Sequence, residues 1–88
     1  MMFVILCYDV GVKRVSKMLK TAKKYLSPVQ RSVFQGNLTE ATLHRMQHEI
    51  TQIIDTDSDS VIVYCMSSPS VVIKAQIGKT SDTDDNFI

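Results

Sequence analysis

Met2 to Tyr8 form an unbroken apolar run, Met-Phe-Val-Ile-Leu-Cys-Tyr, that ends abruptly at Asp9. A run this short falls well below the ~20 residues that span a bilayer, and its β-branched and aromatic content suits a strand. Because the run is continuous and not alternating, both faces of that strand need cover, as at the centre of a sheet. A second run of the same kind, Val61-Ile62-Val63-Tyr64-Cys65-Met66, demands the same environment. The fold is therefore a sheet with these two strands inside it and a layer packed over it. The 88 residues leave room for one domain. A domain of this size buries only about 60 to 65% of its unfolded surface, so association with a second copy would stabilise it.

The covering layer is read from helical spacing. Over 13–26, Val15, Met18, Leu19, Ala22 and Leu26 share one stripe, and Lys13, Lys17, Lys20 and Lys24 form a narrow stripe opposite. Over 39–54, Leu43, Met46, Ile50, Ile53 and Ile54 face inward. Thr39 is placed to cap that helix, with Leu38 stapled against Leu43. Segment 28–35 mixes polar and apolar residues and suits a strand near an edge. Segment 71–77 alternates, with Val71, Ile73, Ala75 and Ile77 on one side, and reads as an edge strand with one wetted face. The resulting order is strand, helix, strand, helix, strand, strand. It becomes the split βαβ pattern, an α+β fold, if residues 28–37 hold two short strands with a bend near Arg31-Ser32. A domain over 1–78 and an acidic tail over 79–88 are expected. Asp82, Asp84 and Asp85 precede Phe87-Ile88 in that tail, which is either loose or docks on a neighbour.

Charge is distributed unevenly. Residues 1–39 carry seven bases and one acid, giving +6, and residues 40–88 carry three bases and eight acids, giving −5. The basic half suits a polyanion. Its one acid, Asp9, stands at the carboxyl end of a buried strand beside Lys13, Arg14, Lys17, Lys20, Lys23, Lys24 and Arg31. Such a carboxylate either caps the following turn or holds a divalent cation next to phosphates, as magnesium sites with one or two carboxylates do. The lysine stripe has no acid within its own helix at i,i+4 spacing, so its like charges repel unless phosphates neutralise them. Arg14 is the leading phosphate clamp and Arg31 the second, because a guanidinium grips phosphate in a bidentate fork. Contacts of this kind read backbone and shape, not base sequence.

Other candidates carry less. Ser32 has no His or Asp spacing of a triad. His44 and His48 stand four apart without the Glu of a zincin helix, and read as solvated. Asp55-x-Asp57-x-Asp59 imitates a calcium loop, but Ser60 and Met66 replace its Gly and Glu, leaving an acidic turn before a strand. Cys7 and Cys65 lack CxxC spacing and read as reduced core thiols. No charged segment precedes the first apolar run, so it does not read as a signal peptide, and a cytoplasmic location is expected.

Tyr8-Asp9-Val10 after an apolar strand, a basic helix, and then Val29-Gln30-Arg31-Ser32-Val33-Phe34-Gln35-Gly36 closely resemble the CRISPR-associated endoribonuclease family, the smaller of the two universal spacer-adaptation proteins. The likeness runs from residue 2 to about residue 77. It implies a ferredoxin-like fold with two helices on one face of the sheet, a symmetric homodimer, and Asp9 of both subunits facing one another around one magnesium ion. It also implies a complex that inserts DNA fragments into a CRISPR array, in which the dimer bridges integrase subunits along a duplex. Some members are nucleases on RNA or DNA and others scaffolds.

On this basis Asp9 is the expected catalytic and metal residue, Lys13, Arg14, Lys17, Lys20, Lys24 and Arg31 the nucleic-acid contacts, and Phe34 a core or dimer-seam residue. The chain departs from the family pattern in its short loop after Asp9, which lacks a second acid, and at Pro28, Leu26-Ser27 and Gln35. These departures bear on catalysis more than on fold. A ribonuclease toxin of the same superfamily is an alternative. A single-strand RNA-binding module is another, but its Lys/Arg-Gly-aromatic signature is absent.

Overall fold

The first apolar run becomes strand β1 (Met2–Asp9), and the second lies within β4 (Ser60–Ser68). Between them come a short 3-10 turn (Val12–Arg14), α1 (Val15–Tyr25), β2 (Ser27–Gln30), β3 (Val33–Leu38) and α2 (Glu40–Ile53), and β5 (Val71–Gly78) closes the order. The computed structural model describes residues 1–68 and 71–79. The acidic tail expected after Gly78 lies, beyond Lys79, outside the described residues. All neighbouring strands are antiparallel in the order β2-β3-β1-β4-β5. The first four give the split βαβ arrangement, and β5 adds an edge strand beyond β4. No helix among the described residues is long and apolar enough to cross a membrane.

Two local features set this outcome. The stretch 28–35 does not run straight. Gln30 pairs with Val33, which leaves Arg31 and Ser32 as a tight turn and makes two strands of one expected segment. Thr39 caps α2, its Oγ1 accepting the Thr42 N–H at 3.2 Å. Removing such a cap costs about 1 kcal/mol.

One face of the sheet carries the core. Val4, Leu6 and Tyr8 of β1, Phe34 of β3, and Val61, Val63 and Cys65 of β4 pack under Met18, Ala22, Leu43, Met46 and Ile50 of the helices. Phe34 is wholly buried, with its ring stacked on Tyr8 at 6.0 Å between centroids. Burying each such side chain contributes roughly 1.5–3 kcal/mol.

Three expectations need correction. Helix α1 is shorter than 13–26, since the first turn is 3-10 and Leu26 already has extended backbone. Val15 is 42% exposed, because it opens the helix beyond the cover of the sheet. Most consequential, among the described residues the continuous apolar strands are covered on one face only. Phe3, Ile5 and Cys7 of β1 and Ile62, Tyr64 and Met66 of β4 point the other way by the alternation of strands, and all remain half-exposed.

Candidate nucleic-acid interface

Asp9 is the last residue of β1, opposite Ser60 of β4. Strand alternation gives it the same side as Cys7, Ile5 and Phe3, at the end of the open apolar face. The carboxylate is exposed and hydrogen-bonds to no described residue. Two hollows meet there. One cleft is lined by Tyr8, Asp9, Val10, Val15, Arg31 and Ser32, and brings the strand-end acid and the hairpin arginine to one place. The other, on the open face, is lined by Cys7, Tyr8, Asp9, Ser60 and Ile62. The hairpin is held there by the Tyr8 N–H, which donates to the Ser32 carbonyl at 3.1 Å. Arg31 therefore stands beside Asp9 because the β2–β3 turn is tied to the end of β1.

The lysines divide into two groups. Lys13, Lys17, Lys20 and Lys23 are exposed on the outer side of α1 and the turn before it, and pair with no described residue. Lys24 does not share that state. It forms an ion pair with Glu49 of α2, and the Tyr25 hydroxyl donates to the same carboxylate. The absence of acids within α1 itself thus does not leave the whole stripe uncompensated. Glu49, 25 residues away in sequence, neutralises its last turn and holds the helices together. These two hydrogen bonds keep the Glu49 carboxyl below its ordinary pKa, the Lys24 bond being the larger cause.

Arg14 is turned away from the role sequence reasoning gives it. Its Nε donates to Asp59 Oδ2 at 2.5 Å and its Nη2 to Asp59 Oδ1 at 3.0 Å, so the bidentate fork meets a carboxylate of the same chain. Asp59 was legible only as the third acid of an acidic turn. Its side chain is 1% exposed, and its oxygens also accept from the Gly11 and Asp55 N–H groups, each at 2.9 Å. The Arg14 guanidinium first, then these backbone donors, hold the Asp59 carboxyl well below the usual carboxylate range, against the opposing effect of burial. Nothing local in the sequence pairs residues 45 apart.

The remaining candidates lie apart from this site. His44 and His48 are exposed on α2, and His44 borders a groove with Leu43, Cys65, Ile73 and Ala75. Asp55 accepts the Asp57 N–H in a local turn. Both thiols are free, and burial raises their pKa values, which keeps them protonated. Among the described residues no three His, Cys, Asp or Glu side chains gather as a metal cluster. Asp9 fits a hard cation as an oxygen donor, and among the described residues of one chain no other carboxylate joins it.

Known proteins resemble this chain in both sequence and fold. Residues 2–72 match the family model described as CRISPR associated protein Cas2. The chain is 41% identical over 87 residues to the CRISPR-associated endoribonuclease Cas2 of Thermotoga maritima, covering 99% of each protein. It is 48% identical over 65 residues to that of Dictyoglomus turgidum, covering 74% of this chain and 75% of the relative. Among solved structures, a crystal structure of Cas2 superposes with a TM-score of 0.73 at 33% identity, over 92% of this chain and 91% of that one. Streptococcus pyogenes Cas2 gives a TM-score of 0.66 at 35% identity, over 70% and 82% of the two chains.

Proposed function

Because the chain belongs to the Cas2 family of CRISPR-associated proteins, we propose that it serves spacer adaptation as a homodimer that binds nucleic acid and cuts it at a centre formed by Asp9 of both subunits. The observation that carries this reading is the position of Asp9, exposed and without a partner among the described residues, at the end of an apolar sheet face that no described residue of the subunit covers. A second copy packed on that face would bury Phe3, Ile5, Ile62, Tyr64 and Met66. A two-fold axis would then repeat Asp9 without further sequence.

Two carboxylates suit one magnesium ion, which when bound polarises a phosphoryl oxygen and lowers the pKa of a water. The chain's own residues do the rest. Arg31, across the cleft from Asp9, takes a phosphate oxygen, and Lys13, Lys17 and Lys20 follow the backbone on the outer flank. Arg14 is left out of this set, since its fork is held by Asp59. The dimer works in the cytoplasm with an integrase subunit, and the acidic residues Asp82, Asp84 and Asp85 are its offered contact.

A scaffold without catalysis is the second reading. It is favoured by the cleft itself, whose described lining offers no histidine or second acid beside Asp9 to act as general base. One experiment separates the two: labelled single-stranded RNA and duplex DNA, wild type against Asp9→Asn, with magnesium or chelator. Magnesium-dependent cutting that disappears in the variant supports the enzyme, and the preferred substrate names its class. No cutting, or cutting indifferent to Asp9, sinks the catalytic reading and leaves the scaffold.

A further inference from the structure

We propose that Asp59 is the positioning residue of the Asp9 site, clamping the turn that follows Asp9 to the ends of α2 and β5. The proposal rests on the reading of Asp9 as the reacting centre. The backbone leaving Asp9 passes through Val10 and Gly11 into the 3-10 turn, and there both the Gly11 N–H and the Arg14 guanidinium are fastened to one carboxylate. Each oxygen accepts from two donors. Oδ1 takes Gly11 N and Arg14 Nη2, and Oδ2 takes Arg14 Nε and Asp55 N. A buried carboxylate with every acceptor position used is a fixed point, because releasing any donor leaves polar groups unpaired.

The main chain of Asp59 extends the clamp. Its carbonyl accepts the Lys79 N–H at 2.7 Å, and its own N–H donates to the Asp55 carbonyl at 2.7 Å. Gly78 makes the first of these contacts possible. Its φ is +87°, and a Cβ there would stand 2.3 Å from the Asp59 carbonyl oxygen. Three segments distant in sequence therefore converge on one residue, one position before the Ser60 that pairs with Asp9.

Four donors on one side chain exclude asparagine from this position. Asparagine has the same shape, but one of its two ends is an amide NH₂ that cannot accept. Whichever way it turns, that NH₂ faces two donors, either Gly11 with Arg14 or Arg14 with Asp55. Misplacement of a reacting group by about 1 Å costs on the order of 100-fold in rate, so a loosened turn at Gly11 reaches Asp9 even though Asp59 touches no substrate.

The test compares the full-length dimer as wild type, Asp59→Asn and Arg14→Lys. Glu49→Gln, which breaks the pair at the other end of α1, serves as a control for simple destabilisation. Well below the melting temperature, Asp59→Asn should speed exchange of the Gly11 amide by about tenfold or more. It should lower kcat for magnesium-dependent cleavage about 100-fold with KM little changed. Arg14→Lys, which keeps the charge but loses the fork, should fall between. Glu49→Gln should lower the melting temperature and leave both quantities unmoved.

Unmoved Gly11 exchange, or a kcat loss that only tracks the unfolded fraction, overturns the clamp. So does an effect of Arg14→Lys confined to KM, which would place Arg14 on the substrate. If Asp59→Asn does not fold, Arg14→Lys decides by the same readouts. If wild-type cutting proves independent of Asp9, the catalytic reading fails separately, and the clamp is judged by the NMR shift of the Asp9 carboxyl carbon. A shift moved by Asp59→Asn and not by Glu49→Gln upholds it; an unmoved one overturns it.

Discussion

Asp9 and Asp59 are the same side chain at neighbouring points of the fold, and their surroundings give them opposite work. Asp9 is exposed and has no partner among the described residues, so it can meet a cation or a second copy of itself. Asp59 is buried and bonded to four donors. The difference has a consequence in acid. The folded state holds the Asp59 carboxyl below its ordinary pKa, so between the two values the unfolded chain binds a proton that the folded chain refuses. The stabilisation is therefore fully present above about pH 5 and is lost progressively as pH falls below about 4, the ordinary aspartate value. Glu49, also lowered, adds a smaller slope of the same sign. Melting temperature measured from neutral pH down to about pH 3 should fall steeply for wild type and more gently for Asp59→Asn. Parallel curves for the two proteins would remove Asp59 from the acid response.

Elements were easier to read than the links between them. Both helices declared themselves through apolar stripes that recur within a few residues, and the bend at Arg31-Ser32 lies where a split of the second strand was expected. Thr39 caps α2 as its position before an apolar stripe implied. The Arg14–Asp59 and Lys24–Glu49 pairs left no such trace, because each joins residues on different elements and neither spacing repeats. For the same reason the sequence made Arg14 a phosphate clamp and counted Lys24 as free. On α1 this difference is measurable. If Lys17 and Lys20 contact phosphates, each change to Ala should reduce the log–log salt slope of duplex binding by about 0.9. Lys24→Ala should cost stability and change the slope less. Equal slope changes at all three positions would mean that Glu49 releases Lys24 on binding.

The whole molecule is defined by a sheet with one face finished and one face open. The unbroken apolar runs of β1 and β4 make sense only if both faces are covered, and the described residues of one chain cover one. Packing two open faces together would complete the second layer, leave the helices and their lysines on the outside, and bring the ends of both β1 strands into one assembly. Ile5 sits at the middle of that face, flanked by Tyr64 of β4 and Gln35 of β3. In Ile5→Lys an ammonium would stand at the centre of each face, and burying charges without partners costs several kcal/mol. The helix-side core is untouched by the change, so the subunit should keep its circular dichroism and cooperative melting. Sedimentation should then report a dimer for wild type and a monomer for the variant. Magnesium-dependent cleavage should disappear with the dimer, because the described residues of a single chain offer one carboxylate there, while binding through Lys17 and Lys20 persists in weakened form. A variant that remains dimeric would show that the open face is not the seam. A monomer that still cuts would show that Asp9 needs no partner, and the argument from the two-fold axis would fall with it.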